Sequence, residues 1–191
     1  MKTIEGYKFI QKDMKSQNGN HKWKLGKWYK EDKIKLCELG FHACIKPLES
    51  LAYIYGDKWF LVEARGKIIK EKGDKFVASE MRLVREIPLD KVVKRFALWC
   101  SKQYLKNYEK EYPQDFRVSD CIKATEDYLD NKISLDELSI ARSAAGSAAR
   151  SAAWSAAESA AGSAARSAAE SAAESAQNKQ LKKLIQNEFR I

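Results

Sequence analysis

Up to about residue 90 the apolar positions come in short runs rich in aromatic and β-branched side chains, punctuated by Gly40, Gly56, Gly66 and Gly73. Such runs predict β-strands over residues 7–10, 34–37, 41–44, 59–64, 67–69, 76–79 and 82–87. One helix interrupts them: Pro47 suits a first helical position, and Leu48, Leu51, Ala52 and Tyr55 then share a face. Asn18-Gly19, inside the polar stretch 16–20, predicts a tight hairpin turn.

Beyond Pro88 the period changes. Val92, Phe96 and Trp99, with Val93, Cys100 and Tyr104, make a wide apolar stripe at helical spacing, so one amphipathic helix runs to a point before Pro113. A second is expected from Ser119, as its N-cap, to about Asp130. Ser134 followed by Glu137 has the spacing of a capping box and starts a third. From Ser143 to Ser175 a serine then recurs every fourth residue in the frame Ser-Ala-Ala-X, where X runs Gly146, Arg150, Trp154, Glu158, Gly162, Arg166, Glu170, Glu174. Alanine favours helix, and no β-branched residue opposes it. Four residues turn a helix by about 400°, so the serine row drifts about 40° per repeat and keeps no fixed face. A single rod of this length would span roughly 54 Å. A break near Gly162 into an antiparallel pair is therefore expected, capped by a tail carrying Leu181, Leu184, Ile185 and Phe189. Trp154 is either a plug for that pair or an anchor for a partner, including a second copy of the chain.

The fold class that follows is α+β. Residues 1–90 form a mixed, mainly antiparallel sheet with one helix, and residues 91–191 an all-α domain containing the repeat at 143–176.

Composition agrees with a globular chain: of 191 residues, 45% are hydrophobic and 32% charged. The net charge of +9 is uneven, with ten lysines against four acidic residues in residues 1–35. No run reaches the roughly 18 apolar residues of a membrane span, and no signal-like run follows Lys2, so a cytoplasmic protein that does not engage membranes is expected. Four cysteines in such a chain read as free thiols.

Candidate chemistry is sparse. Cys37, His42 and Cys44 lie close together but lack the paired spacing of a zinc site, so neither metal nor cofactor is expected. Serine-hydrolase, P-loop and dinucleotide-binding signatures are missing. Residues 21–30 interleave Lys22, Lys24, Lys27 and Lys30 with Trp23, Trp28 and Tyr29. Lysines neutralise phosphates and exposed indoles stack on bases, so the stretch reads as a binding surface for nucleic acid or a nucleic-acid-bearing complex. Read instead as a half-buried edge strand, alternation places Trp23 with Leu25 on one face and Lys22 with Lys24 on the other.

Tyr7-Lys8-Phe9-Ile10, the run Gly40-Phe41-His42-Ala43-Cys44 with Pro47-Leu48, and Val62-Glu63-Ala64-Arg65-Gly66 resemble a family of uncharacterised bacteriophage and prophage domains. Residues 96–176, with Tyr112-Pro113, Asp115-x-Arg117, Cys121-Ile122-Lys123-Ala124 and Ile133-Ser134 ahead of the alanine repeats, are similar in layout to alanine-rich helical immunity proteins. Together these resemblances imply a phage accessory protein, non-enzymatic, that binds and inhibits a bacterial protein or ribonucleoprotein target such as a CRISPR-type defence complex. The order Gly40-Phe41-His42, Tyr53, then Ser79-Glu80 also resembles the layout of ADP-ribosyltransferase domains. That implies His42 and Tyr53 holding a nicotinamide dinucleotide while Glu80 orients the acceptor. The plainer reading puts Tyr53 in the core and Glu80 in a surface ion pair. A third reading, immunity against a toxin, places the binding in the helical domain.

Overall fold

Strands form where the aromatic and β-branched runs fall: β1 is Ile4–Ile10, β2 Tyr29–Lys30, β3 Phe41–Cys44, β4 Lys58–Lys70 and β5 Lys75–Ile87. The structure, a computed structural model, describes residues 2–17, 21–70, 75–158 and 163–189, with side chains except those of residues 147–172. The helices are α1 (Pro47–Ser50, continued by a 3-10 turn over Leu51–Tyr53), α2 (Leu89–Glu111), α3 (Arg117–Leu129), α4 (Leu135–Glu158) and α5 (Ser163–Phe189). An antiparallel sheet followed by helices is the α+β class that the pattern predicts. No helix among the described residues is long and apolar enough to cross a membrane. Two compact units result: residues 1–92 with 178–191, and residues 93–177.

In the first unit the strands run in the order β2-β5-β3-β1-β4, and β4 also pairs with β5, so β5, β3, β1 and β4 close into a ring. Phe41, Phe60, Phe76, Met81, Leu83 and Trp23 fill its core. The expected short strands 59–64 and 67–69 are one strand, β4. Gly66, read as a boundary, is instead a bulge: it sits at φ +78, the pairing with β5 shifts register between Arg65 and Ile68, and the Lys67 N–H donates to Ser79 Oγ at 2.9 Å. Likewise 76–79 and 82–87 join through Glu80 and fully buried Met81 into β5.

Three expectations fail here. Residues 34–37 are a turn, because Cys37 takes the left-handed conformation (φ +62) and gives its N–H to a histidine ring rather than to a strand. Of residues 22–30 only Tyr29–Lys30 is strand. Leu25 bridges Leu83 in parallel, Gly26 turns the chain at φ +75, and Trp23 is 2% exposed whereas Leu25 is 59% exposed, so the two do not share a face. Helix α1 lasts one turn. Pro47 and Ser50 are its buried residues, and the stripe continuing to Ala52 and Tyr55 is not formed, since both are exposed. The turn expected at Asn18-Gly19 lies outside the described residues, although Lys15 and Lys22 on either side form an antiparallel bridge.

The second unit follows its capping signals closely. Helix α2 ends at Glu111, before Pro113, as the pattern requires. Helix α3 starts earlier than expected: Ser119 lies inside it and donates to the Phe116 carbonyl at 2.9 Å, while Asp115 accepts the Arg117 N–H at 3.1 Å. At its other end Asn131 is left-handed (φ 59), with Asn131 N–H donating to Tyr128 and Lys132 N–H to Asp127, the glycine-type helix stop made by an asparagine. The box at α4 closes both ways: Ser134 N–H donates to Glu137 Oε2 at 2.8 Å, and Glu137 N–H to Ser134 Oγ at 3.3 Å. The break expected near Gly162 falls in residues 159–162, outside the described residues, as does the side chain of Trp154.

The C-terminal tail is the segment expected to cap the repeat. It belongs to the first unit, where Leu181 (0% exposed) and Ile185 (2%) are buried, Lys91 pairs with Glu188 at 2.7 Å, and the Leu48 N–H donates to Asn178 Oδ1 at 3.1 Å.

Candidate functional site

In the β unit, β1 and β3 are in register at a single pair, Tyr7 with Cys44, so the seam between them gapes. A pocket of about 110 Å³ opens there, lined among others by Lys8, His42, Cys44, Ser50, Tyr53 and Lys75. Lys8 crosses the seam: its Nζ donates to the His42 carbonyl at 2.9 Å and stands 5.8 Å from the Trp23 ring centroid. Burial pushes that ammonium down to about 8. Lys75, in register with Cys44, holds its Nζ 4.9 Å from the Tyr53 ring and 3.8 Å from Cys37 Sγ.

His42 is engaged at both ring nitrogens. Nε2 accepts the Cys37 N–H at 2.9 Å, and Nδ1 lies 3.2 Å from the Gly40 carbonyl, which fixes a neutral ring with its proton on Nδ1. Glu80 does not line the pocket; its Oε2 receives the Arg65 Nε at 2.7 Å. The structure thus brings together His42 and Tyr53 and leaves Glu80 elsewhere. The pocket is also far below the roughly 300–1,000 Å³ of sites for cofactor-sized ligands. Among the described residues no cluster of His, Cys, Asp and Glu gathers as metal ligands, and none of the four cysteines is in a disulfide.

Burial first, and Lys8 next, lowers the affinity of both histidines for protons below the ordinary value of 6.5. In the window just below 6.5 the unfolded chain therefore binds more protons than the folded one, so their contribution is complete above that value and is lost as pH falls through the folded values. The expected result is a lower urea midpoint at pH 5 than at pH 7, flattened by the double variant His21→Gln/His42→Gln. A midpoint unchanged between those pH values would contradict it.

The lysine-bearing stretch keeps its charges outside and its indoles inside. Lys22, Lys24, Lys27 and Lys30 are exposed. Trp23 is buried and donates its Nε1–H to Ser16 Oγ at 2.8 Å, and half-buried Trp28 lies under two guanidiniums, Arg65 at 4.0 Å and Arg82 at 5.0 Å. Those arginines are themselves paired, Arg65 with Glu80 and Arg82 with Glu63. The stretch offers cations without a free indole for stacking.

The sequence reading missed the corner between α2 and α3. Residues 111–117 and Asp120 line a shallow concavity of about 700 Å³. Asp115 organises it, accepting Tyr108 Oη–H at 2.8 Å and both Arg117 Nε and Nη2, at 2.8 and 2.6 Å. The Arg117 guanidinium, followed by the Tyr108 hydroxyl, holds the Asp115 carboxyl well below the usual carboxylate range. On this frame stands Phe116, 65% exposed, flanked by exposed Glu111 and Asp120. Residues 109–137 carry nine acidic against four basic side chains within a chain of net charge +9. Several of those acids are engaged, Glu126 by Lys102, Asp127 by Lys123 and Asp130 by Arg95, so Glu111 and Asp120 carry the outward charge of the corner. A moving window of net charge would have found it.

Residues 90–178 match the family model described as "Imm-5 like putative immunity protein". This span nearly coincides with the helical unit and contains the α2–α3 corner. It also agrees with the immunity-protein resemblance of the helical region. Residues 4–95 match a second model, that of a domain of unknown function, DUF7666, which covers the strand ring and the seam pocket. No curated protein and no solved structure matches the chain.

Proposed function

We propose that this chain is a non-enzymatic neutralising protein that binds a cationic bacterial protein toxin through the α2–α3 corner of its helical unit. The observation that carries this reading is the immunity-protein match over residues 90–178. The geometry supports it: an exposed aromatic on a braced loop, rimmed by carboxylates, has the make-up of an interface centre with a charged rim. Carboxylates on this side steer and register a basic partner, while the overall positive charge of the chain alone would repel one.

The exposed lysines support a second reading, a phage-derived inhibitor that uses Lys22, Lys24, Lys27 and Lys30 against an acidic target such as a ribonucleoprotein defence complex. Trp23 and Trp28 leave that surface to charge alone, which makes such binding strongly salt-dependent.

One experiment separates the two. Bacteria expressing each of a panel of cationic toxin domains are rescued, or not, by the full chain, and the complex is measured by calorimetry. The toxin reading expects rescue by the native chain and by Lys22→Glu/Lys24→Glu/Lys27→Glu, and its loss with Glu111→Lys/Asp120→Lys. The affinity of that double reversal should fall about 100-fold, roughly 3 kcal/mol. Rescue that survives the reversal of Glu111 and Asp120, or fails with the lysine variant, overturns it.

A further inference from the structure

Two aromatic rings of the helical unit stand out in solvent, Phe116 at the α2–α3 corner (65% exposed) and Tyr104 on α2 (63%). They belong to one surface. At about 100° per residue, Tyr104, Tyr108, Glu111 and Tyr112 fall within about 100° of one another around the helix axis, whereas Lys106 and Lys110 fall on the far side. Tyr112 continues the last turn of α2, its N–H donating to the Tyr108 carbonyl at 2.8 Å, and the two rings lie 5.0 Å apart. The Tyr108 hydroxyl then reaches Asp115, the residue beside Phe116. An aromatic row thus leads along α2 into the corner, bordered by the exposed side chains of Glu111 and Asp120. Asp115 itself is spent on Arg117, which it holds through two hydrogen bonds at 2.8 and 2.6 Å.

We propose that this surface selects arginine over lysine in its partner, with guanidinium groups stacking on Phe116 and Tyr104 and pairing with Glu111 and Asp120 at the corner. The inference rests on the toxin-binding reading of the same corner and names the side chains that the toxin presents to it. A guanidinium is planar and weakly hydrated, so it lies flat on a ring while its edge N–H groups reach a carboxylate. An ammonium is a compact, strongly hydrated point charge and gains less from the rings. The chain builds the same arrangement inside its β unit. Arg65 stacks over Trp28 at 4.0 Å with its Nε 2.7 Å from Glu80, and Arg82 lies 5.0 Å from the same ring with its Nη2 2.7 Å from Glu63. At the corner the rings and carboxylates face solvent, and the partner supplies the guanidinium.

The test is a calorimetric titration of the full chain with two peptides of equal length and charge, one a Gly-Arg repeat and one a Gly-Lys repeat, both blocked at their ends. The arginine peptide is expected to bind about tenfold tighter, the sum of two modest stacking contacts. Glu111→Lys/Asp120→Lys should weaken both peptides. Phe116→Leu and Tyr104→Leu keep an apolar side chain and remove the ring, so each should shrink the preference for arginine and leave the lysine peptide unchanged. Both positions are exposed, so the urea midpoint should stay at its native value. Equal binding of the two peptides, binding of neither, binding untouched by Glu111→Lys/Asp120→Lys, or a preference that survives the loss of both rings overturns the proposal. A chain that rescues cells from a toxin but binds the two peptides equally keeps the toxin reading and loses this one; a preference for arginine with no toxin neutralised does the reverse.

Discussion

Gly56→Ala is expected to destabilise the β unit by about 3 kcal/mol or more, far beyond the usual cost of adding a methyl group. A Cβ at this position would lie 2.2 Å from the Ile10 carbonyl oxygen, 2.4 Å from its carbon and 2.7 Å from the Gln11 nitrogen. All three are backbone atoms at the end of β1, where Ile10 is fully buried in the core and pairs with Lys58. The strand cannot retreat without dragging Ile10 with it, so the clash becomes a loss of core packing. Gly26→Ala is the matched control. It sits at φ +75 with nothing within 4 Å of the added carbon, so only the left-handed conformation opposes it, at about 1 kcal/mol. Urea unfolding of the two variants beside the native chain measures the difference, and equal losses would refute the close-approach account of Gly56.

Trp59→Ala is expected to cost about 3–5 kcal/mol, much of the roughly 5–15 kcal/mol that holds an ordinary domain. The indole is 0% exposed, stacks on Phe9 at 5.6 Å with 4° between the planes, and lies 6.1 Å from Tyr7. Its Nε1–H ends on Ser50 Oγ, itself buried, so removing it opens a cavity and takes away a hydrogen bond that ties β4 to α1. Trp59→Phe keeps most of the stacking surface and loses the hydrogen bond, so about 1–2 kcal/mol is expected for it. Denaturation midpoints that place Trp59→Phe level with Trp59→Ala would show that the stacking carries little.

Legibility in the sequence follows how local each determinant is. The capping box at Ser134 and Glu137 and the stop before Pro113 involve residues within one turn, and both are read correctly from spacing alone. Gly66 misleads because a glycine at a bulge and a glycine at a strand end look alike until the partner strand is known. Residues 34–37 have the composition of a strand, but the acceptor for the Cys37 N–H is a ring nitrogen five residues on, which no periodicity encodes. Trp23 and Leu25 alternate correctly for a strand, yet they answer to separate partners, the Trp23 N–H donating to the Met14 carbonyl and Leu25 bridging Leu83. At the candidate sites, His42 and Tyr53 are recognised as neighbours, whereas Lys8 is overlooked, since nothing along the chain announces that β1 and β3 will diverge around it. The acidic corner was hidden by averaging, because lysines elsewhere cancel it in any count over a hundred residues.

The tail that carries Leu181 and Ile185 has a consequence for biosynthesis. The β unit takes its first 92 residues from the start of the chain and its last fourteen, 178–191, from the end, with the helical unit inserted between them. On a ribosome the strands emerge early and must wait for more than eighty intervening residues before the segment that supplies Leu181 and Ile185 arrives. During that interval the nascent β unit is incomplete and its apolar seat is open. Premature termination within the alanine repeat would therefore release a product with a ready-made sticky surface, a natural substrate for chaperones and proteases.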